Sequence, residues 1–341
     1  MVWAPYARSL GQDSRPLGRI CNVPQIRISM PLLPANKKFA FTVFDDTDGS
    51  TVENVGPVYQ LLGELGFRTT KSVWPLPLVA WFTDGGSTGG TLEDPDYLRF
   101  IKTLQAEGFE IALHNVRNHH AERDMVQRGL DAFHEIIGHY PKLHANHYHN
   151  RENLYWGMHR LSSLPGRTVA SFRHVIGSTV PYEGHLKDSP YFWGDLCREH
   201  IQYVRSFTFN EINLLRVNPT LPYHDSTKPF VNFWFTSTDG GNVTRFCEQI
   251  SERNQDRLEA EGGVCIVYTH FADGFCDRGI ANPRFVELLK RLSRKNGWFV
   301  PVSNLLDFLR EGRTHSQICT AELIALESRW LGYKLFHPHP R

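Results

Sequence analysis

The chain has 341 residues, of which 41% are hydrophobic and 21% charged, a composition that indicates a folded globular protein and excludes a largely disordered one. Lysine and arginine number 37 against 36 aspartates and glutamates, for a formal net charge of +1, so no electrostatic field favours nucleic acid or an anionic membrane as a partner. Six scattered cysteines without a Cys-x-x-Cys pair, together with the lack of a leader or a membrane-spanning apolar run, favour a cytoplasmic protein.

The first elements along the chain are an extended arm, a buried strand and a helix. Residues 1–36 contain five prolines and no periodic pattern, which predicts an extended N-terminal arm. Phe39 to Phe44 is a nearly continuous apolar run, typical of a parallel strand covered on both faces. Apolar residues at helical spacing predict the next helix, which Gly66 ends, from Val55, Val58, Tyr59, Leu62 and Leu65.

The strand and helix unit then repeats. A strand near 69–74 is followed by a Gly-rich loop at 84–90 and by a helix from the N-cap Asp94 to Ala106. Beyond it we expect a strand at 109–113, a helix at 122–137 and a strand at 143–148. Later strands are predicted at 168–171, 231–236, 264–269 and 298–302, with helices starting near Thr244, Pro283 and Ser303, whereas most of 154–229 is predicted to form long loops.

Strands that alternate with helices in this way predict an α/β fold with a parallel sheet. About seven units indicate an irregular (β/α)7-type barrel over residues 37–312, with an open doubly wound sheet as the alternative. Residues 313–341 form a predicted C-terminal tail whose amphipathic stretch, Ala321 to Leu331, is expected to be a helix. That helix would pack on the outside of the barrel or on a partner subunit, which leaves a homo-oligomer open.

Polar side chains of catalytic type stand at the ends of four predicted strands. In a parallel barrel the carboxyl ends of the strands meet at one rim, and functional groups gather there. The sequence places metal-ligand or acid/base residue types at this rim: Asp45, Asp46, His114, Asn146, His147 and His270. We therefore expect one site built from several strand ends.

A metal site is the first chemistry that these residues suggest. Adjacent aspartates project differently, so one of the pair Asp45 and Asp46 could bind a cation while the other faces its water, although DDTDGS is also typical of a turn. His114 and His119 follow a strand five residues apart, and eight of the 17 histidines lie between 114 and 149. Imidazole and carboxylate together are the usual ligands of a zinc-like ion. His120 and Asn118 are alternatives to His119.

His270 follows another buried strand, and it is expected to donate a proton to a leaving amine. The alternative is a core histidine bonded to the backbone. Five further residues are predicted to stack on or hydrogen-bond a sugar, and each could instead be core or loop packing: Asn146, His147, Trp156, Trp193 and Trp234.

Over residues 37–312 the chain resembles the polysaccharide deacetylase family with its NodB-homology barrel. FTVFDD resembles the first family motif, HNVRNH its histidine motif with one residue more than the usual spacing, and IVYTHF its last motif. The resemblance implies Asp45 as the catalytic base, Asp46, His114 and His119 as ligands of a divalent metal, most simply zinc, and His270 as the proton donor. The family's third motif carries an arginine that is missing from 144–148. Arg117, Arg123 or Arg151 could replace it.

Three functions are consistent with this reading. The first is a metal-dependent hydrolase that removes an acyl group, in the simplest case acetyl, from an acylamino sugar or a polysaccharide precursor. The second uses the same barrel and chemistry on a small cytosolic amide or ureide. The third is a non-catalytic carbohydrate-binding protein with a degenerate site.

Overall fold

The computed structural model describes residues 33–79, 88–162, 180–313 and 316–336. Most of the predicted N-terminal arm, part of the Gly-rich loop and the strand predicted at 168–171 lie outside these residues.

Seven parallel strands form a closed ring. Each strand pairs with its neighbours along the chain, and β1 also pairs with β7 over Ala40 to Asp45, which closes the sheet on itself. The strands are β1 (Phe39–Asp45), β2 (Thr70–Val73), β3 (Glu110–Leu113), β4 (Leu143–His144), β5 (Tyr203–Phe209), β6 (Phe233–Asp239) and β7 (Val264–Thr269). A short antiparallel pair, β8 (Cys276–Asp277) and β9 (Ile280–Ala281), lies apart from the ring, and β10 (Gly297–Trp298) pairs with the start of β1.

Helices alternate with these strands along most of the chain. Those in the described residues are α1 (Val52–Glu64), α2 (Pro95–Ala106), α3 (Arg123–Ile137), α4 (Gly194–His200), α5 (Val243–Gln249), α6 (Glu252–Glu261), α7 (Pro283–Ser293), α8 (Val302–Glu311) and α9 (Thr320–Phe336), with 3-10 turns at Pro34–Asn36, Gly157–Arg160 and Leu214–Arg216. A capping box between Thr51 and Asn54 starts α1. Gly66 adopts a positive φ of 79° just beyond its end, as the sequence predicts.

The predicted α/β fold is confirmed, and the pairing of β1 with β7 favours the closed arrangement over an open sheet. Among the ring strands and the helices of the described residues, three were not predicted: β5 and α4, within the stretch expected to be loops, and α6. The short pair β8 and β9 was not predicted either. The strand predicted at 143–148 ends at His144, because the amide side chain of Asn146 bonds both backbone groups of Leu154 and turns the chain into a loop. The strand predicted at 298–302 ends at Trp298, and α8 begins at Val302.

The core has two layers. One fills the inside of the ring, where Ala40, Phe44, Ala112, Tyr203 and Phe235 are buried together. The other lies between the ring and the helices, and it takes the alternate residues of the same strands, such as Phe41 and Val43 of β1. Burial on both faces explains why β1 has no exposed residue.

The predicted tail helix is present as α9, and it packs on its own chain beside β5. The ring of Trp330 lies 5.2 Å from that of Phe207, and the buried Glu327 accepts a hydrogen bond from the backbone N–H of Ser162 at 2.6 Å. None of the helices in the described ranges is both long and apolar enough to cross a membrane.

Replacing either of two helical glycines by alanine should change stability, in opposite directions. In α3, a Cβ at Gly129 would lie 2.4 Å from Cγ1 of Val116, in the loop that follows β3, whereas in α1 a Cβ at Gly56 meets nothing within 4 Å. We expect Gly129→Ala to lower the free energy of unfolding by about 1–3 kcal/mol through overpacking. Gly56→Ala should raise it by about 0.4–1 kcal/mol. Urea denaturation measures both, and equal stabilisation by the two changes would contradict this packing.

Candidate active site

Three carboxylates stand at the carboxyl end of β1, within the sequence Asp45-Asp46-Thr47-Asp48. Asp45 and Asp46 are buried, and the side chain of Asp48 is 19% exposed. Charges that leave water are stable only when an opposite charge or hydrogen bonds compensate them. The structure supplies a different set of partners to each of the three.

Asp45 is held in a buried ion pair. Its Oδ2 accepts from Nζ of Lys71 on β2 at 2.8 Å and from the hydroxyl of Tyr59 at 3.0 Å, while Oδ1 accepts from the backbone N–H of Phe271 at 2.8 Å. Burial opposes the charge on Lys71, but the Asp45 carboxylate outweighs it and raises the pKa of the ammonium group. Asp45 thus accepts three hydrogen bonds from protein donors, one of them within an ion pair, and these contacts favour a structural role over that of the predicted catalytic base.

Asp46 forms a bidentate ion pair with Arg205 of β5. The guanidinium donates two parallel hydrogen bonds to the carboxylate, at 2.8 Å from Nη1 and 2.6 Å from Nη2, and it also lies 4.3 Å from the centre of the Tyr268 ring. Burial opposes ionisation of Asp46, but the pull of Arg205 is stronger and holds the pKa of the carboxyl below its ordinary value. Asp46 is therefore a fixed, ionised carboxylate.

Arg205 orients Asp46, whereas Asp45, the aspartate for which the sequence seemed to lack an arginine, is paired with Lys71. The three arginines considered as replacements bind elsewhere. Arg117 donates to the backbone carbonyl of His120, Arg123 pairs with Asp195, and Arg151 pairs with Glu183. The orienting arginine comes from β5, a strand that was not predicted, and not from the segment after β4.

Asp48 lies between two histidines. Its Oδ2 is 2.9 Å from Nε2 of His114, which follows β3, and its Oδ1 is 2.9 Å from Nε2 of His147, which follows β4. Burial opposes the charge on Asp48, but the two imidazoles outweigh it and hold the pKa of the carboxyl well below its ordinary value. Trp74 packs against both rings, so the imidazoles are fixed by apolar as well as polar contacts.

Hydrogen bonds at the opposite ring nitrogens fix the tautomers. Nδ1 of His114 lies 3.1 Å from the carbonyl of Ala145, and Nδ1 of His147 lies 2.9 Å from Oδ1 of Asn150. Because these oxygens only accept, each neutral ring carries its proton on Nδ1. Asn150 is itself fixed, since its amide nitrogen donates to the carbonyls of Arg117 and His119. In that tautomer both Nε2 atoms direct a lone pair at the Asp48 carboxylate, an arrangement that a bound cation would stabilise.

His270, which follows β7, joins the same site. Its Nδ1 is 3.0 Å from the carbonyl of Gly241, and its Nε2 is 3.6 Å from Oδ2 of Asp48. Burial lowers the pKa of this imidazole, but the Asp48 carboxylate raises it more, to about 9. His270 is thus suited to carry a proton at neutral pH.

A divalent metal ion fits the donor set. Two groups of side chains place their ligand atoms within 4.8 Å of one another: Asp48 with His114 and His147, and Asp46 with Asp48 and His270. Two imidazoles and one carboxylate are a usual set for zinc, and a second hydrogen bond at the far ring nitrogen is typical of metal-bound histidine. Asp46, in the second group, also accepts a hydrogen bond from Arg205 at each of its two oxygens.

Three residues predicted or considered as ligands lie outside this arrangement. In the described chain, the convergent ligand groups do not include His119. Its ring stacks near that of His120, with 4.3 Å between the centroids. His120 accepts from the backbone N–H of Arg151, and Asn118 accepts from the backbone N–H of Val79. The histidine that stands with Asp48 and His114 in the first group is His147.

The predicted sugar-binding residues separate into three groups. Asn146 is buried and bonds His144 and Leu154. Trp193 is also buried, and its indole N–H donates to the carbonyl of Glu152. Both are placed as structural residues. His147 belongs to the metal-ligand group, whereas Trp156 and Trp234 line one pocket beside Arg205.

Asp48 and Arg205 were missed by the sequence analysis. Asp48 stands within DDTDGS, where only Asp45 and Asp46 were considered as site residues and turn chemistry was the alternative. A third carboxylate so close to a strand end was the signal that could have found it. Arg205 had a weaker signal, because an arginine inside YVRSFTF interrupts the apolar run that is typical of a buried strand.

No protein-family model matches the sequence, and a search of curated proteins also finds no match. Among solved structures, the chain is similar to a protein from Mycobacterium smegmatis assigned as a polysaccharide deacetylase, with 12% identity, a TM-score of 0.48, and coverage of 84% of this chain and 96% of that one. A similar assignment from Pseudomonas aeruginosa PAO1 aligns with 11% identity, a TM-score of 0.46, and coverage of 82% and 93%. A peptidoglycan deacetylase from Bacillus subtilis aligns with 12% identity, a TM-score of 0.36, and coverage of 81% and 94%.

The buried ion pair between Asp45 and Lys71 should contribute strongly to stability. Asp45→Asn leaves Lys71 buried without its counter-charge, so we expect the free energy of unfolding to fall by about 3–5 kcal/mol. Asp96→Asn is the matched control, because that carboxylate is 82% exposed and its pair with Arg99 is on the surface. The control should change stability by less than about 1 kcal/mol. Urea denaturation of the two variants checks this, and equal stability would show that Asp45 has another role.

Proposed function

We propose that this protein is a metal-dependent hydrolase that removes an acyl group from an amide nitrogen, with an acylamino sugar as the substrate class. The observation that carries the proposal is the convergence of three imidazole Nε2 atoms, from the ends of β3, β4 and β7, on the carboxylates at the end of β1. Each of the three rings is oriented by a hydrogen bond at Nδ1. The sequence resemblance to polysaccharide deacetylases points to the same chemistry.

Asp48, His114 and His147 would hold the ion, and zinc suits a set of two imidazoles and one carboxylate. This set replaces the one expected from sequence, in which Asp46 and His119 stood beside His114. When bound, such an ion polarises the acyl carbonyl and lowers the pKa of a nearby water.

Asp46 is the proposed general base. Its pKa, held low by Arg205, keeps the carboxylate ionised at neutral pH, and the two hydrogen bonds from Arg205 fix its orientation. Each carboxylate oxygen can accept more than one hydrogen bond, so the bond to Arg205 leaves room for a water. Asp46 lies beside the ligand group, with Oδ2 3.8 Å from Nε2 of His114. This is the placement that a base acting on a water in the site requires.

His270 is the proposed proton donor to the leaving nitrogen. The neighbouring carboxylates of Asp48 and Asp46 raise the pKa of its imidazole, and its side chain is 25% exposed, so a substrate can reach it. The bond from Nδ1 to the carbonyl of Gly241 aims Nε2 into the site. Asp46 and His270 thus divide the roles of base and acid, because Arg205 lowers one pKa and Asp48 raises the other.

We propose a reducing compartment, the cytoplasm, for this activity. Among the described residues the cysteines are free thiols: Cys197, Cys247, Cys265, Cys276 and Cys319. Free thiols in a fold that needs no disulfide are typical of such a compartment.

Histidine variants should separate the two proposed ligand sets. We expect the purified protein to bind one zinc ion per chain, and His147→Ala to weaken zinc binding by at least about 100-fold because a direct ligand is lost. His119→Ala is the control and should keep its zinc and its activity. Metal analysis after dialysis, with an acyl-release assay on acetylated amino sugars, measures both. Loss of zinc in His119→Ala but not in His147→Ala would restore the set expected from sequence.

Asp46→Asn should abolish catalysis without releasing the metal. We expect kcat to fall by about 100- to 10,000-fold, the usual contribution of a general base, while zinc content stays at one per chain. Asp277→Asn, an exposed change in β8, is the control and should leave kcat unchanged. Circular dichroism verifies that Asp46→Asn is folded. A folded Asp46→Asn variant with normal kcat would exclude Asp46 as the base.

A further inference from the structure

A pocket adjoins the proposed active site on the side of β5. Arg205 is shared by the active site and the pocket, because its guanidinium is hydrogen-bonded to Asp46 and the residue also lines the pocket. The other lining residues are cationic, aromatic or hydroxyl-bearing: Tyr155, Trp156, Arg160, Ser206, Phe207, Tyr223, Lys228 and Trp234. The lining therefore has three cationic and no acidic side chains.

Arg160 is the unusual member of this lining. Its Nε and Nη2 atoms are buried, and neither has a hydrogen-bond acceptor among the described residues. Its guanidinium lies 3.4 Å from the centre of the Trp156 ring and 5.1 Å from that of Trp330, so it is stacked between aromatic side chains. Burial lowers the pKa of Arg160 to about 9, which leaves it charged at neutral pH.

The other two cations of the pocket already have counter-charges. Arg205 is paired with Asp46, and Lys228 donates to Asp225 at 2.7 Å and to Ser162 at 2.6 Å. The sequence 163–179, which follows Arg160 closely, contains no Asp or Glu. Arg160 thus contributes one positive charge that no carboxylate in the described residues neutralises by direct contact.

The indole N–H of Trp234, in the same lining, is a second buried donor without an acceptor in the described chain. Leaving a buried donor unsatisfied costs about 1–3 kcal/mol, and more for a charged one. Both unsatisfied groups are donors, so what they lack is an acceptor. One uncompensated positive charge calls for a single negative charge, and a planar guanidinium matches a planar carboxylate.

We propose that Arg160 binds a carboxylate of the substrate, so that the hydrolase acts on an anionic acylamino compound rather than on a neutral glycan. The inference rests on the proposed function for the identity of the reacting amide. Binding of a carboxylate by Arg160 does not depend on that function. It also changes the role expected of Trp156. The guanidinium covers one face of the indole, so that face is closed to a sugar ring, and Trp156 supports Arg160.

A matched pair of substrates tests this selectivity: an acetylated amino sugar that carries a carboxylate, and its neutral methyl ester. We expect kcat/KM to favour the acid by about 10- to 100-fold, the effect of one charge-assisted hydrogen-bond pair. In Arg160→Gln this preference should fall towards one, and in Arg160→Lys it should be partly retained. Arg253→Gln, an exposed change in α6, should keep it. Equal hydrolysis of acid and ester by the unaltered protein would overturn the proposal.

A binding measurement separates this inference from the proposed function. Calorimetric titration of the protein with N-acetylglycine and with its neutral amide needs no catalysis. We expect N-acetylglycine to bind at least about 10-fold more tightly, and Arg160→Gln to lose the difference. If no acyl release occurs on any substrate but this difference is found, the proposed function fails and the carboxylate site stands. Equal binding of the two compounds, or binding that Arg160→Gln leaves unchanged, overturns the site.

Discussion

Burial of three carboxylates at the end of one strand is the constraint on which the structure depends. Each of Asp45, Asp46 and Asp48 loses most of its contact with water, at a cost of several kcal/mol per charge unless a counter-charge is near. Other strands of the ring supply the counter-charges. Lys71 comes from β2, Arg205 from β5, and a pair of imidazoles from the ends of β3 and β4. Closure of the sheet is what brings these strands around the end of β1.

The same distribution of charge assigns a role to each carboxylate. Asp45 accepts three hydrogen bonds from protein donors, and its ion pair with Lys71 stabilises the fold. Asp46 is ionised and oriented but keeps lone pairs that can accept a proton, which suits a base. Asp48 faces two imidazole lone pairs, which suits a metal ligand. The pocket beside Arg205 shows the converse case, because Nε and Nη2 of Arg160 are buried there without an acceptor among the described residues. The inference of an anionic substrate follows from the same rule.

Most of the fold could be predicted from the sequence, because apolar periodicity and helix-ending glycines act locally. The pattern identified β1, β3, β7 and their helices, and it failed at β5, where an inward-facing Arg205 breaks the apolar run. The site was harder to predict, since its ligands are selected by distance in space. His114 and His270 directly follow strands and were placed at the site. His119 lies nearer than His147 to His114 along the chain, but the ligand group in the described residues contains His147, which β4, a neighbour of β3 in the ring, brings to Asp48.

The central claim is that Asp48, His114 and His147 form a metal site at this rim. Anomalous diffraction at the zinc absorption edge, on crystals of the protein grown with zinc, tests it most directly. The account predicts one strong peak at about 2.0–2.3 Å from Nε2 of His114, Nε2 of His147 and a carboxylate oxygen of Asp48. A peak bound instead by Asp46 and His119, or the absence of any peak at this rim, would contradict it.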